Sequence, residues 1–152
     1  MKKILFIAAS FIIGFSANAQ QKTDDVVKVK NEKFDFGKIK QSVPVTTYFE
    51  ITNTSDKAIV IENAVASCGC TTPEYSKEPI APNATTKIKV GYNAAAMGVF
   101  NKDITVKLAG IQETKVLKIT GEVLDAAAYD TYVKENAGKK GKPTTAKATS
   151  KS

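Results

Sequence analysis

Two thiols stand two residues apart in Ser67-Cys68-Gly69-Cys70-Thr71, and they are the only cysteines of the 152-residue chain. That spacing admits three kinds of chemistry. A bond between the sulfurs is accessible, because Cα atoms two residues apart lie roughly 5.5–7 Å from each other, overlapping the upper disulfide range, and Gly69 relaxes the backbone between them. So small a ring removes little unfolded-chain entropy, so it staples the fold weakly; being strained, it would also be comparatively reducible, which suits a redox or local stiffening role. Two thiolates at this spacing could instead chelate Cu(I), which accepts low coordination and prefers sulfur, with Cys68 and Cys70 as the ligands. A structural zinc would need two more ligands, available here only as carboxylates. The third reading is structural: small, soft residues filling a bend between two sheets. The Cys-x-x-Cys spacing of thioredoxin-like proteins and its βαβ surroundings are missing, as is a helix N-terminus to lower a thiol pKa.

Other chemistry is excluded by what the chain lacks. It has no His and no Trp, and every one of its 22 cations is Lys. Without imidazole there is no Ser-His-Asp or Cys-His pair and no His-ligated zinc or iron. Paired carboxylates, a phosphate loop and a nucleophile elbow are also missing, so no enzyme is expected. The net charge of +7 belongs to the ends, since residues 20–138 hold 15 Lys against 15 Asp and Glu. A neutral body without the Arg fork lacks the footprint of nucleic-acid recognition, and no nucleic-acid partner is expected.

Met1-Lys2-Lys3, an apolar run from Ile4 to Phe15 and the small residues Ser16-Ala17-Asn18-Ala19 form an export signal, with cleavage between Ala19 and Gln20. As a helix the apolar run rises only about 18 Å, short of the ~30 Å hydrocarbon core, so the processed protein is expected to carry no transmembrane segment. No Cys follows the cleavage site to take a lipid. The expected location is periplasmic or secreted, in an oxidising compartment that favours a bonded cysteine pair.

The elements that must position the cysteines read as strands. Residues 20–30 are a polar lead-in in which Val26, Val27 and Val29 suggest an edge strand. From Glu32 the chain breaks into short period-two pieces rich in Val, Ile, Thr and aromatics: Phe34 with Phe36, Val45 to Thr52, Ala58 to Val65, Ile88 to Tyr92, Ile104 to Leu108 and Val116 to Val123. Turn formers end each piece, including Asn53-Thr54-Ser55-Asp56 and Ala109-Gly110, and Ser67 to Pro73 reads as an open loop. About seven strands at turn intervals of roughly 8–12 residues predict an all-β, immunoglobulin-like β-sandwich, without the Cys…Trp…Cys of antibody domains. Residues 125–137 suit one short helix, and 138–152 are a Lys-rich tail whose composition predicts disorder, acting as a solubilising end more readily than as a tether. Asn53-Thr54-Ser55 and Asn83-Ala84-Thr85 fit the glycosylation pattern but read as turns.

Taken in order, Phe34-Asp35-Phe36-Gly37, then Phe49-Glu50-Ile51-Thr52-Asn53-Thr54-Ser55 with Ile59-Val60-Ile61, then Ser67-Cys68-Gly69-Cys70-Thr71, the Pro82 turn and Ile119-Thr120-Gly121-Glu122-Val123 resemble DUF1573, a family of exported bacterial proteins common in Bacteroidetes. The resemblance covers residues 31–124. It implies an immunoglobulin-like domain similar to the major sperm protein and ASH domains, with no established enzyme activity. It also implies that Cys68 and Cys70 are a purposeful pair, supported by Ser67, Thr71 and the Asn53 turn. The function expected is an exported, non-enzymatic binding or scaffolding module of the cell envelope, its partner an envelope protein or polymer that the sequence does not name. The alternative is a thiol-disulfide redox or Cu(I)-binding protein centred on Cys68-Gly69-Cys70.

Overall fold

The computed structural model describes residues 22–137; residues 1–19, read as an export signal, and the Lys-rich residues 138–152 lie outside the described residues. Alternation along the strands decides the layers. The chain runs α1 (Thr23–Val26), β1 (Val27–Val29), β2 (Lys33–Lys40), β3 (Val45–Asn53), β4 (Ile61–Ala66), β5 (Thr71–Glu74), β6 (Thr85–Tyr92), β7 (Gly98–Leu108), β8 (Thr114–Leu124) and α2 (Ala126–Asn136). One sheet has the order β1-β3-β6-β5 and the other β2-β8-β7-β4. Phe49 and Ile51 of β3 and Ile88, Val90 and Tyr92 of β6 are buried from the first sheet, and Ile104, Val106 and Leu108 of β7 and Leu117, Ile119 and Val123 of β8 from the second. Burying each such side chain is worth about 1.5–3 kcal/mol, and the two inner faces make one core. This is the sandwich that the period-two pattern predicts.

All neighbouring strands are antiparallel except β2 and β8, which run parallel. Two glycines allow that pairing to close over a stack of rings. A Cβ on Gly121 would lie 2.7 Å from the Phe100 ring and 2.9 Å from the Gly37 carbonyl oxygen, so only glycine fits. Gly37 itself has φ +65°, at a shift of register between Asp35 and Lys38, and its N–H is bound by Asp35 Oδ1 at 3.0 Å. The rings of Phe34, Phe36, Phe100 and Tyr92 then follow one another, from 4.9 Å to 6.3 Å to 4.1 Å between centroids, from the β2 edge across to β6.

The structure departs from the sequence reading in three places, one of them the start of β7 at Gly98, six residues before the alternation at Ile104 begins. Thr71–Glu74, expected in an open loop, is an edge strand paired with β6 from Thr71↔Tyr92 to Glu74↔Lys89. Its lack of apolar alternation hid it, and Pro73 is tolerated because an edge needs no N–H on its outer side. The lead-in does supply the edge strand β1, but it is less loose than its polarity suggested. Thr23 and Val26 of α1 are buried, Thr23 Oγ1 donates to the Glu113 carbonyl at 2.7 Å, and Lys115 pairs with both Asp24 and Glu32. Burial opposes the Lys115 charge, yet the two carboxylates outweigh it and hold its pKa above the usual lysine value. Helix α2 forms as expected, capped by Asp125, whose carboxylate accepts from the Ala128 N–H at 2.8 Å. It lies at the β2 edge through Lys40–Asp130 at 3.4 Å and Lys38 over the Tyr132 ring at 5.2 Å, and buries none of its residues.

Candidate functional site: a disulfide turn beside an open strand edge

Residues 67–70 carry the chain from β4, at the edge of one sheet, to β5, at the edge of the other. Cys68 and Cys70 are joined there by a disulfide, with Cα atoms 5.3 Å apart, close to the lower end of the separation anticipated from the spacing. The turn is held at three points. Ser67 N–H donates to the Asp103 carbonyl at 2.9 Å, Thr71 N–H to the Cys68 carbonyl at 3.3 Å, and Asn93 N–H to the Cys70 carbonyl at 3.0 Å. Gly69 is exposed and both cysteines are half-buried, Cys70 packing against the core. The two sulfurs therefore differ in surroundings.

Thr71 is 4% exposed, and its hydroxyl lies 3.6 Å from Cys68 Sγ and 3.9 Å from Cys70 Sγ. Among the described residues these sulfurs are its only hydrogen-bonding neighbours. Beside Thr71 on β6 is Tyr92, stacked on Phe100, where burial pushes the phenol pKa up and keeps it neutral. The joined sulfurs present no thiolate, so Cu(I) could be held by Cys68 and Cys70 only after reduction. No group of three or more His, Cys, Asp or Glu side chains gathers among the described residues.

Of the residues that the sequence singled out, Ser67, Cys68, Gly69, Cys70 and Thr71 come together in this turn; Asn53 does not. It sits at the far end of the first sheet, where its neighbour Thr52 pairs with Thr85, seven residue steps along β6 from Tyr92 or about 24 Å at ~3.4 Å per residue. There Asn53 is fully buried, its amide donates to the Lys57 and Ile80 carbonyls at 2.7 and 2.8 Å, and its oxygen accepts from Ser55 N–H and Oγ at 2.9 and 2.7 Å. It is a clamp between loops, and its amide is not accessible for glycosylation.

A feature that the sequence reading missed lies next to the disulfide. Strand β4 pairs with β7 only as far as Ala66↔Ile104, while β7 begins at Gly98. Asp103 turns its carbonyl to Ser67 N–H and its own N–H to Ser67 Oγ, at 2.9 and 3.2 Å. By the alternation of a regular strand, Asn101 and Val99 aim their N–H and C=O groups the same way, past the end of β4. The β7–β8 register is unbroken over this stretch, and no hydrogen bond among the described residues closes these groups. Val99, with 84% of its surface exposed, projects from this segment, and Met97 is exposed just before it. Three of the edge strands are guarded: β2 by lysines and its register shift, β5 by Pro73, and β4 by the Tyr75 hydroxyl on Asn63 at 3.3 Å, next to the Ile59–Ile80 bridge that precedes it. The sequence reading could not show the open edge, because it started this strand at Ile104, whereas β7 begins at Gly98.

No helix among the described residues is long and apolar enough to cross a membrane. Residues 27–123 match the family model DUF1573, a protein of unknown function. No curated protein matches the sequence. Among solved structures the chain is similar to a protein of unknown function from Porphyromonas gingivalis, with a TM-score of 0.56 and 17% identity over 72% of this chain. It spans about half of that protein, 51% of its length. An ASH/PapD-like domain of human CEP192 is similar with a TM-score of 0.56 and 9% identity, over 66% of this chain and 87% of the domain. The secreted serine protease VesC from Vibrio cholerae contains a similar region, with a TM-score of 0.53, 16% identity and 74% of this chain covered against 26% of the protease. At these identities the likenesses show the fold alone.

Proposed function

We propose that this chain, which belongs to the DUF1573 family, is an exported, non-enzymatic binding module that captures an extended segment of an envelope partner on the open edge of β7. One observation carries the reading. The main-chain groups of Val99 and Asn101 are arrayed as a strand edge with nothing on them, next to the disulfide turn, while the β2, β4 and β5 edges are guarded. A strand added there gains main-chain bonds for affinity, and exposed Val99 contributes an apolar contact for selectivity. The export signal read in residues 1–19 and the neutral body with its basic ends are compatible with an envelope location.

A photocrosslinking residue placed at Val99 in growing cells tests the capture. A discrete adduct is expected there and not at Lys28, an exposed position on the opposite sheet. Absence of an adduct at Val99, or equal adducts at both positions, overturns the reading. Cell fractionation with mass measurement of the N-terminus tests export, with Gln20 as the expected first residue of an envelope protein; an intact Met1 in the cytoplasm defeats it.

A further inference from the structure

We infer that the Cys68–Cys70 disulfide exchanges with thiols of a cysteine-bearing extended polypeptide lying on the β7 edge, which deepens and rests on the capture reading above. Ser67 is the last residue of the β4 side to bond β7, and the chain turns away at Cys68. A peptide that continues the line of β4 along β7 has its first free register position opposite Asn101, immediately beyond that turn. A cysteine there would abut Cys68, the residue that follows Ser67 on the β4 side of the turn, and not Cys70, which packs against the core.

The chemistry follows from the surroundings. A peptide thiolate attacks Cys68 Sγ, the Cys68–Cys70 bond breaks, and Cys70 leaves as a thiolate while a peptide–Cys68 mixed disulfide forms. A second peptide thiolate then attacks the peptide sulfur of that mixed disulfide, and Cys68 leaves. The peptide has lost two electrons and two protons to become a disulfide, and the Cys68/Cys70 pair has gained them as two thiols. Thr71 has a place in the first step. Its buried hydroxyl, with only the two sulfurs as hydrogen-bonding neighbours, donates to the departing Cys70 thiolate and acts as a positioning residue.

The test uses the purified oxidised chain with two probes: reduced glutathione, which needs no strand edge, and a reduced, β-prone peptide carrying two cysteines. Loss of the disulfide is followed by thiol alkylation and intact mass. The peptide is expected to react faster than glutathione by about tenfold or more at equal thiol concentration, since edge binding raises its effective concentration. Asn101→Pro and, separately, Val99→Pro remove an outward N–H without touching the β8 ladder. Each should bring the peptide's rate down to the rate of glutathione measured on the same variant. Thr71→Val should slow both probes by about tenfold, the worth of one charge-assisted hydrogen bond. Cys70→Ser, treated with the oxidised peptide, should hold a mixed disulfide on Cys68.

A disulfide inert to both probes overturns the exchange. A cysteine-free version of the same peptide that still binds would in that case leave the capture reading standing. Equal rates for the two probes, unaffected by Asn101→Pro, overturn the role of the edge.

Discussion

Asn53 at the end of β3 and Thr71 at the start of β5 are both buried polar side chains beside strand-end turns, but their hydrogen bonds go to different kinds of partner. The Asn53 amide meets four protein groups, on Ser55, Lys57 and Ile80, whose state does not change. Thr71 points its hydroxyl at two sulfurs, whose bonding changes with the redox state of the compartment. The difference separates two meanings of a motif. A turn whose donors and acceptors are all spent on the main chain is architecture, and a turn that directs a buried donor at a reactive bond, next to an uncovered strand edge, has capacity left for a partner.

Removing the clamp should therefore cost the most stability. Asn53→Ala deletes four hydrogen bonds at a fully buried site, so a loss of about 3 kcal/mol is expected in the urea midpoint analysis. Asn53→Asp should do at least as badly, because it keeps the acceptor for Ser55 but sets an oxygen against the Lys57 and Ile80 carbonyls. A loss below that of the disulfide variant described below would reverse the comparison between the two turns.

Gly121→Ala comes next, at about 2 kcal/mol, from overpacking against Phe100 and the Gly37 carbonyl. It sharpens the comparison because it strikes neither turn directly. Phe100 stacks on Tyr92, and Tyr92 pairs with Thr71, so the strain is delivered at the disulfide end and leaves the Asn53 end untouched. Hydrogen exchange should show protection lost around Thr71 and Tyr92 with Asn53 and Ala84 retained.

How much of this was legible follows from the same contrast. The sandwich was readable because Phe49, Ile51, Ile88, Val90, Ile104, Val106, Leu117 and Ile119 alternate along their own strands, and alternation is a local property. The disulfide turn was readable as a set, since its five residues are contiguous, although the spacing alone left bonded, metal-bound and merely structural cysteines open. Strand β5 was not, because Thr-Thr-Pro-Glu has no alternating apolar face; its strand character comes from β6 and from Glu74 with Lys89 at 3.0 Å. Nor was the burial of Asn53 visible, since polar turn formers ordinarily face water and only the return of the 57 and 80 segments covers it. The open edge depends on the lengths of two strands far apart in the chain, and the parallel β2–β8 pair on a Gly121 that leaves room for both the Gly37 carbonyl and the Phe100 ring.

Replacing both cysteines by serine should cost less than either change above. By loop-entropy arithmetic a ring this short contributes about 1–2 kcal/mol, and the turn keeps its bonds to Asp103 and Asn93 without it. Guanidinium unfolding of the Cys68→Ser, Cys70→Ser double variant measures this directly. A loss larger than that of Asn53→Ala would make the disulfide a staple of the fold and remove the reason to treat its turn as the working one.

The smallest effect expected is that of acid, and its source lies in neither turn. Asn53 and Thr71 do not titrate and the bonded cysteines carry no proton, so mild acid has little to act on at either place. Glu50, on the solvent side of β3, is the group that responds. The Lys30 and Lys87 ammonium groups, at 3.3 and 3.4 Å, hold its carboxyl below the usual value of 4.5. A carboxyl whose pKa is lower in the folded state stabilises fully above its unfolded pKa, and that contribution fades as pH falls through the folded value. The melting temperature should consequently drift downward on acidification below 4.5, by less than any of the substitutions above produces, and Glu50→Gln should flatten the drift without altering the thiol-exchange rate. An exchange rate that changed with Glu50→Gln would mean that the solvent face of β3 is coupled through β6 to β5 within the one sheet, and that the disulfide end is not energetically separate from the rest of the sandwich.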